Sequence, residues 1–140
     1  MLVLDTTVAV AAFLPIQGRH VEAETILRRV VGEGAVVPSL WAYEVGHVLL
    51  RAERNREITA SDAEEGLHAL LRLPITITYH DRQSPAWLQA WHLARGVRLS
   101  FYDAAFLDLA LTRALPLATF DGGLRQAALR SGVGLLPPER

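Results

Sequence analysis

Four acidic residues stand at positions where a carboxylate could do chemistry: Asp5, Glu44, Asp103 and Asp121. Carboxylates that share one place repel each other and raise each other's pKa unless a cation offsets their charge. The chain has no Cys and no evident His cluster, so its oxygen ligands suit Mg²⁺ or Mn²⁺ better than Zn²⁺. A divalent metal site is therefore expected if the fold brings these acids together.

Three of these acids also have a purely structural explanation. Asp5 could cap the helix that follows it, and Asp121 stands before two glycines, as in an Asx turn. Asp103 comes three residues after Ser100, a spacing that resembles a capping box. Taken singly, the structural interpretation is preferred for both residues, a helix cap for Asp5 and an Asx turn for Asp121. Glu44 lies within an apolar helical segment, where capping cannot explain it.

The elements that must position these acids alternate along the chain. Short apolar runs predict strands over residues 2–4, 35–37, 75–79, 117–120 and 135–136. Capping residues, glycines and prolines set the predicted helix ends. The first predicted helix is capped by Thr6 or Thr7 and ended by Pro15, the second covers about 19–31, and the third starts at Ser39. The fourth runs from a Ser61/Glu64 capping box to Leu73, and the fifth runs from Ser84 and Pro85 to Gly96. The sixth runs from Ser100 to about 115, and the last follows Asp121.

This order predicts an α/β fold, a three-layer α/β/α sandwich with a mainly parallel central sheet. Ligands of such sheets bind beyond the carboxyl ends of the strands. Asp5 and Asp121 follow strands, Asp103 opens a helix, and Glu44 lies early in a helix that follows a strand. A parallel sheet could therefore bring all four to one rim.

Composition narrows the possible classes. With 140 residues, 51% of them hydrophobic and 21% charged, the chain is expected to form one globular domain over residues 1–140. No apolar run reaches the roughly 18 residues of a membrane span, and a cytoplasmic protein is expected. The net charge of -1 gives no general attraction to nucleic acid, so any such binding needs a local patch.

Four stretches, LVLDTTVAV, PSLWAYEVGHVLL, LSFYDAAFLDLA and LATFDGGL, occur in an order and spacing that resemble the PIN-domain ribonucleases. The chain length is similar to that of the VapC toxins of type II toxin–antitoxin pairs. The resemblance implies a single PIN-like nuclease domain in which Asp5, Glu44, Asp103 and Asp121 are catalytic and metal-site residues. The small hydroxyl side chains that often support such a site match Thr6, Thr7, Ser100 and Thr119.

The same resemblance implies Mg²⁺- or Mn²⁺-dependent, in-line hydrolysis of single-stranded or looped RNA, which leaves 5′-phosphate and 3′-hydroxyl ends. It also implies a cognate antitoxin that inserts a segment at or near the acids, and a homodimer. Asp5, Asp103 and Asp121 are expected to bind metal or activate water, and Glu44 to bind metal directly or from an outer shell.

Contacts to RNA are expected from basic residues near the predicted rim. Glu44, His47 and Arg51 fall at i, i+3 and i+7, so they form one helical stripe, and Arg54 continues it. Arg98 stands just before Ser100, and Arg82 is a weaker candidate. Ordinary surface solvation is the preferred explanation of any single Arg. His47 departs from the family pattern, which often has Asn there; it could bind phosphate, but a packed or solvated role is preferred.

The absence of Lys excludes two other protein families with an α/β layout. Haloacid-dehalogenase-like phosphatases and response-regulator receivers share the α/β layout, but both use a Lys, and all 14 basic residues here are Arg. Two alternatives stay open: a non-catalytic PIN-like interaction module, and a PIN nuclease of RNA processing that has no antitoxin.

Overall fold

The structure is a computed structural model that describes residues 1–15, 18–81 and 83–139. The five strands in these residues are β1 Leu2–Leu4, β2 Ala35–Pro38, β3 Ile75–Thr78, β4 Leu117–Ala118 and β5 Leu135–Leu136. They form one sheet in the order β3-β2-β1-β4-β5, with every pairing parallel. The predicted parallel α/β sheet is confirmed.

Successive strands are added first on one side of β1 and then on the other, although all strands are parallel. From β1 the chain passes to β2 and β3 on one side, and then returns to place β4 and β5 on the other side of β1. The reversal lies between β1 and β4, where Leu4 pairs with Ala118. Such a topological switch point leaves a crevice at the carboxyl ends of the two strands. Asp5 follows β1 directly at this crevice.

Seven helices in the described residues flank the sheet. They are α1 Thr6–Ala11, α2 His20–Glu33, α3 Leu40–Arg54, α4 Ala60–Leu71, α5 Pro85–Val97, α6 Phe101–Arg113 and α7 Gly122–Arg130. Helix α1 contacts α2 and α3, and α3 contacts α4, while α6 contacts α5 and α7. Parallel crossovers are almost always right-handed, so these two groups cover opposite faces of the sheet. The result is the predicted three-layer sandwich.

Burial explains why the sheet stays assembled. All three residues of β1 are fully buried, and Phe106 and Leu107 of α6 are 1% and 0% exposed. A strand buried on both faces reads as a continuous apolar run rather than an alternating one. No helix within the described ranges is both long enough and apolar enough to cross a bilayer.

Several predicted helix ends were wrong. Helix α4 begins after Thr59, whose hydroxyl accepts from the N–H of Asp62 while the Asp62 carboxylate accepts from the N–H of Thr59. This capping box begins two residues before the predicted Ser61/Glu64 pair, and both pairs have an acid three residues after a hydroxyl residue. Helix α1 ends at Ala11, well before Pro15.

The other differences occur at the ends of α5 and two strands. Helix α5 continues past Gly96 to Val97, and the C-cap Arg98 adopts the left-handed conformation with φ of 57°. Strand β3 stops at Thr78 and β4 at Ala118, both before the predicted ends at 79 and 120. Beyond Thr119, whose N–H still donates to the Leu136 carbonyl, the backbone N–H groups of Phe120 and Asp121 donate to threonine hydroxyls instead of to a neighbouring strand.

Candidate active site

Asp5 is the most deeply buried of the four acids, with 4% of its surface exposed. It occupies the N-cap position of α1, but its side chain makes no capping hydrogen bond. Instead its Oδ2 accepts hydrogen bonds from the hydroxyls of Thr7 and Thr119, the latter at 2.7 Å. Capping therefore does not account for Asp5, which is held at the carboxyl end of β1 by two neighbouring hydroxyls.

Burial raises the pKa of Asp5 above its ordinary value, and the two threonine hydroxyls oppose that rise. The backbone N–H groups of Thr6 and Thr7 oppose it too, although neither forms a well-aligned hydrogen bond with the side chain. Hydroxyl donors stabilise the ionised form of a buried carboxylate, so Asp5 gains part of the solvation that it loses on folding.

A hydroxyl network joins Asp5 to the segment after β4. Thr119 is fully buried, and its Oγ1 accepts a hydrogen bond from the N–H of Asp121 at 3.1 Å. The Oγ1 of Thr7 likewise accepts from the N–H of Phe120 at 3.0 Å. These bonds tie the ends of β1 and β4 together, and they fix the position from which Asp121 approaches the crevice.

Glu44 lies in the second turn of α3 and is half-buried. The hydroxyl of Thr6 donates to its Oε1 at 3.0 Å, so the first acid of α3 is bound to the first residue of α1. Burial raises the pKa of Glu44, and the charges of Asp5 and Asp103 raise it further. The partner that an acid in an apolar helix needs is here a neutral hydroxyl.

Asp103 stands in the first turn of α6, where its N–H donates to the Ser100 hydroxyl at 3.1 Å. The reciprocal half of a capping box does not form with Asp103, so its half-buried carboxylate is not used as a cap. Burial raises its pKa, and repulsion from Asp121 and Asp5 adds to the rise. Ser100 thus fixes the helix start from which this carboxylate projects.

Asp121 caps its helix, whereas the sequence predicted an Asx turn at this position. Its Oδ1 accepts the N–H of Leu124 at 2.7 Å at the start of α7. A carboxylate has two oxygens and about four acceptor sites, so capping leaves capacity for a further ligand. The structural and the chemical interpretation of Asp121 are compatible.

The four acids form one group of mutually repelling charges. The charges of Asp5 and Asp103 raise the pKa of Glu44, and those of Asp121 and Asp5 raise the pKa of Asp103. None of the four takes part in an ion pair within residues 1–15, 18–81 and 83–139. The crevice therefore concentrates negative charge that is balanced only by hydroxyl and backbone dipoles, an arrangement that attracts cations.

The donor set fits a hard, hydrated cation better than a tightly caged one. Among the described residues, no three His, Cys, Asp or Glu side chains are grouped closely enough to hold a metal ion together. Structural and catalytic Zn²⁺ sites need three or four close protein ligands, whereas Mg²⁺ keeps several waters and uses one or two carboxylates. The residues that could hold such an ion are Asp5, Glu44, Asp103 and Asp121.

The structure separates the candidate RNA contacts into two groups. His47, Arg51 and Arg54 are exposed on α3 beyond Glu44, and His47 is therefore solvated rather than packed. Arg98 is exposed at the end of α5, two residues before Ser100. Arg82 lies outside the described residues.

Arg125 contributes to the site but was not predicted from the sequence. One of its amino groups donates to the Thr119 carbonyl at 3.0 Å, and the other donates to the Pro137 carbonyl at 2.9 Å and to Glu139 at 2.8 Å. It thus fastens the residues after β4 to the C-terminal segment. The sequence signal that could have identified it is its place in the first turn of the helix after Asp121, close to the residues that follow β4.

Two cavities near these elements differ in their chemistry. A cavity of about 670 Å³ lies between Arg19, Arg125 and Pro137, and none of the four acids lines it. Another of about 540 Å³ is lined by Thr6 and Thr7, whose hydroxyls bind Glu44 and Asp5. Perturbed pKa values cluster at functional sites, so the four acids are the candidate site.

The chain is similar in sequence to a known ribonuclease. Over 91 residues the chain is 37% identical to Ribonuclease VapC1 of Mycobacterium tuberculosis, in both strain CDC 1551 / Oshkosh and strain ATCC 25618 / H37Rv. The match covers 64% of this chain and 65% of that relative, so it spans slightly less than two thirds of the relative's length.

Two solved structures share the fold. The crystal structure of PAE2754 from Pyrobaculum aerophilum matches with a TM-score of 0.71 at 20% identity, covering 98% of this chain and 93% of that one. The sarcin-ricin loop cleaving toxin VapC20 of M. tuberculosis matches with a TM-score of 0.63 at 18% identity, covering 91% and 95% of the two chains. The family model of the PIN domain matches residues 2–129, and the chain belongs to the PIN domain family.

Proposed function

We propose that this protein is a Mg²⁺- or Mn²⁺-dependent endoribonuclease. The observation that carries the proposal is the group of four repelling carboxylates at the switch point between β1 and β4 of a PIN domain. The name of the relative VapC1, a ribonuclease, supports RNA as the substrate. All four acids are present, which disfavours a non-catalytic interaction module.

The proposed roles follow from how each carboxylate is held. Asp5, fixed by threonine hydroxyls, would bind the cation directly. Glu44 and Asp121 would bind it directly or through its waters, since Mg²⁺ uses one or two carboxylates and keeps several waters. When bound, Mg²⁺ or Mn²⁺ supplies positive charge for the phosphate and activates water. Asp103 is half-exposed and has a raised pKa, so its carboxylate is suited to accept the proton of the attacking water. Water attacks phosphorus in line with the 3′-oxygen, which leaves, and a 5′-phosphate and a 3′-hydroxyl result.

The substrate would approach along α3. The side chains of His47, Arg51 and Arg54 extend the line of Glu44 on the exposed side of this helix. Arginine binds phosphate oxygens through two parallel hydrogen bonds, so this stripe could hold the RNA backbone beside the acids. The overall charge of -1 gives no general attraction to RNA, and this local patch would have to supply it.

RNA cleavage by the purified protein tests the proposal. We expect cleavage of single-stranded RNA with Mn²⁺ or Mg²⁺, no cleavage with EDTA, and a loss of roughly 100-fold or more in Asp103→Asn, the size typical of removing a general base. Asp5→Asn should be inactive as well, with an unchanged circular dichroism spectrum. The matched control is Glu64→Gln, since Glu64 is exposed on α4 away from the crevice. Equal cleavage by the two Asp→Asn proteins would contradict the assignment.

We further propose that the protein is the toxin of a toxin–antitoxin pair. The names of VapC1 and of the toxin VapC20 support this. An antitoxin segment that places an Arg among the four acids would compete with the cation for the same charge. Expression of the wild type should arrest bacterial growth, while Asp103→Asn should not. RNA cleavage in vitro without growth arrest would favour the alternative, a PIN nuclease of RNA processing that has no antitoxin.

A homodimer is the proposed assembly. Helix α5 presents Trp87, Leu88 and Trp91 at 38%, 50% and 38% exposure, and exposed large apolar groups on one helix favour an interface. Light scattering coupled to gel filtration should give about twice the 15.4 kDa chain mass. Replacing both Trp residues with Glu should give the monomer mass.

A further inference from the structure

We propose that the cavity beside the acids binds one unpaired nucleobase of the RNA, next to the phosphate that is cut. The inference rests on the proposed ribonuclease function and names the part of the substrate that the cavity recognises. The cavity measures about 540 Å³. That volume lies within the range of roughly 300–1,000 Å³ that is common for small-molecule sites, so a base and its ribose fit.

Shared residues make the cavity continuous with the reactive centre. Thr6 and Thr7 line the cavity, and the same two side chains donate hydrogen bonds to Glu44 and Asp5. A group in the cavity is thus separated from the acids by a single layer of threonine side chains. A nucleotide whose phosphate lies at the acids would place its own base or the adjacent base here.

The walls suit the flat face of a base. Val10 and Leu14 from the first helix and its following turn, and Val48 from α3, form apolar walls. Val10 and Leu14 are 3% and 9% exposed, so the wall that they form is part of the rigid core. An apolar slot with a few polar groups at its edge is the usual composition of a ligand site.

The rim supplies polar groups for the edges of a base. Arg51 and Glu57 both line the cavity. The guanidinium of Arg51 has five N–H donors, so beyond the two that a phosphate would take it can donate to ring nitrogens and carbonyl oxygens. The carboxylate of Glu57 can accept from an exocyclic amino group. This pair of opposite charges is poorly suited to a second phosphate, because Glu57 would repel it. The rim chemistry therefore favours a base over a phosphate as the occupant.

Helix α3 sets the distance between the acid and the rim. Glu44, Val48 and Arg51 stand at i, i+4 and i+7, so they share one face of the helix. Seven residues correspond to roughly 10 Å along the helix axis. The acid, the apolar wall and the polar rim therefore follow each other in the order phosphate, base face and base edge of one nucleotide.

Abasic RNA tests this assignment. A set of single-stranded oligonucleotides with one cleavage site is made, each with the base removed at one position flanking that site. For the wild type, base removal at one flanking position should raise KM by roughly tenfold, the typical worth of one stacked or buried base, with kcat changed less than KM. No such position among the oligonucleotides would overturn the assignment, and this readout needs no variant to fold.

A cavity-filling variant gives the second measurement. Val48→Phe places a ring in the cavity, and we expect its KM on intact RNA to match the wild-type KM on the sensitive abasic RNA, with no further rise when the base is removed. The matched control is Leu50→Phe, which adds a ring at a position of the same helix that is 48% exposed and does not line the cavity. It should behave as the wild type.

The outcomes separate the two hypotheses. A Val48→Phe protein with the same KM and base preference as Leu50→Phe would overturn the base pocket while leaving the ribonuclease function in place. Absence of cleavage by the wild type with either Mg²⁺ or Mn²⁺ would overturn the proposed function, and the base pocket with it.

Discussion

Replacing Glu44 by Gln should make the protein more stable at neutral pH while it impairs activity. The amide has almost the volume of the carboxylate, and its oxygen can still accept the hydrogen bond from Thr6. What the substitution removes is a half-buried charge that Asp5 and Asp103 repel. The prediction concerns the protein in EDTA, where no divalent cation offsets the repulsion.

The sign follows from the direction of the pKa shift. The pKa of Glu44 is raised above its ordinary value of 4.5, so the native state holds this proton more tightly than the unfolded state does. The stability that this proton adds is complete below the unfolded pKa and is lost as pH rises through the native pKa. The advantage of Glu44→Gln over the wild type should therefore grow as pH rises above about 4.5.

The magnitude follows from the neighbours. Charge pairs on partly exposed surface are worth roughly 0.2–1 kcal/mol each, and Glu44 has two repulsive neighbours, Asp5 and Asp103. Solvent screening keeps the sum low, so at pH 7 we expect Glu44→Gln to be about 1 kcal/mol more stable than the wild type. The gap should close near pH 4.

Urea denaturation at several pH values, in EDTA and low salt, measures the difference. The matched control is Glu64→Gln, because Glu64 is the fifth residue of α4 as Glu44 is the fifth of α3, but it is exposed. The control should stay within about 0.5 kcal/mol of the wild type at every pH. A Glu44→Gln protein no more stable than the wild type at pH 7, or a gap that persists unchanged at pH 4, would refute the electrostatic reasoning.

Three further predictions concern the cation, the hydroxyl network and helix packing. Millimolar Mn²⁺ should raise the melting temperature of the wild type and raise that of Asp5→Asn less, because a ligand of the native state stabilises it; equal shifts would count against a shared site. Thr119→Val should lower the free energy of unfolding by about 1–3 kcal/mol, since the fully buried hydroxyl donates to Asp5. Thr119→Ser keeps a hydroxyl and should lose much less stability. In thermal melts Gly46→Ala should stabilise by about 0.5–1 kcal/mol, as an added Cβ there meets nothing within 4 Å. Gly66→Ala should show no such gain, because its Cβ would lie 3.1 Å from the Cγ of Phe13.

The hydroxyl network explains how the chain tolerates four acids in one crevice. Thr6 binds Glu44, while Thr7 and Thr119 bind Asp5. Each hydroxyl donates to a carboxylate that burial has deprived of water, and such bonds to charged groups are stronger than neutral ones. The site is thus held in place at some cost to stability, as is common where a fold carries perturbed carboxylates.

Helix ends were the part of the local structure that the sequence predicted least well. The segment around Thr59, Ser61 and Asp62 offers two overlapping capping patterns, and α4, which packs against α3, uses the first. Gly96 resembles a helix stop, but Arg98 takes the left-handed conformation instead. Local sequence does not distinguish these alternatives, because each differs from the other by a small capping energy of roughly 1 kcal/mol.

The sequence by itself determined the alternation of elements and the identity of the four acids. Buried apolar strands, helix signals and the positions of Asp5 and Asp121 after strands were sufficient to predict a parallel sheet with acids at one edge. These features are local, or repeat with a period that a chain displays before it folds.

Tertiary structure decided what each acid does. Asp5 and Asp121 both occupy N-cap positions, yet only Asp121 caps its helix, while Asp5 is bound by Thr119, which follows β4 more than a hundred residues away. The hydroxyl that binds Glu44 and the cavity beside it likewise join α1 to α3. The physical basis of these contacts is the pairing of β1 with β2 and with β4, which brings segments that are distant in the chain together only once the sheet has formed.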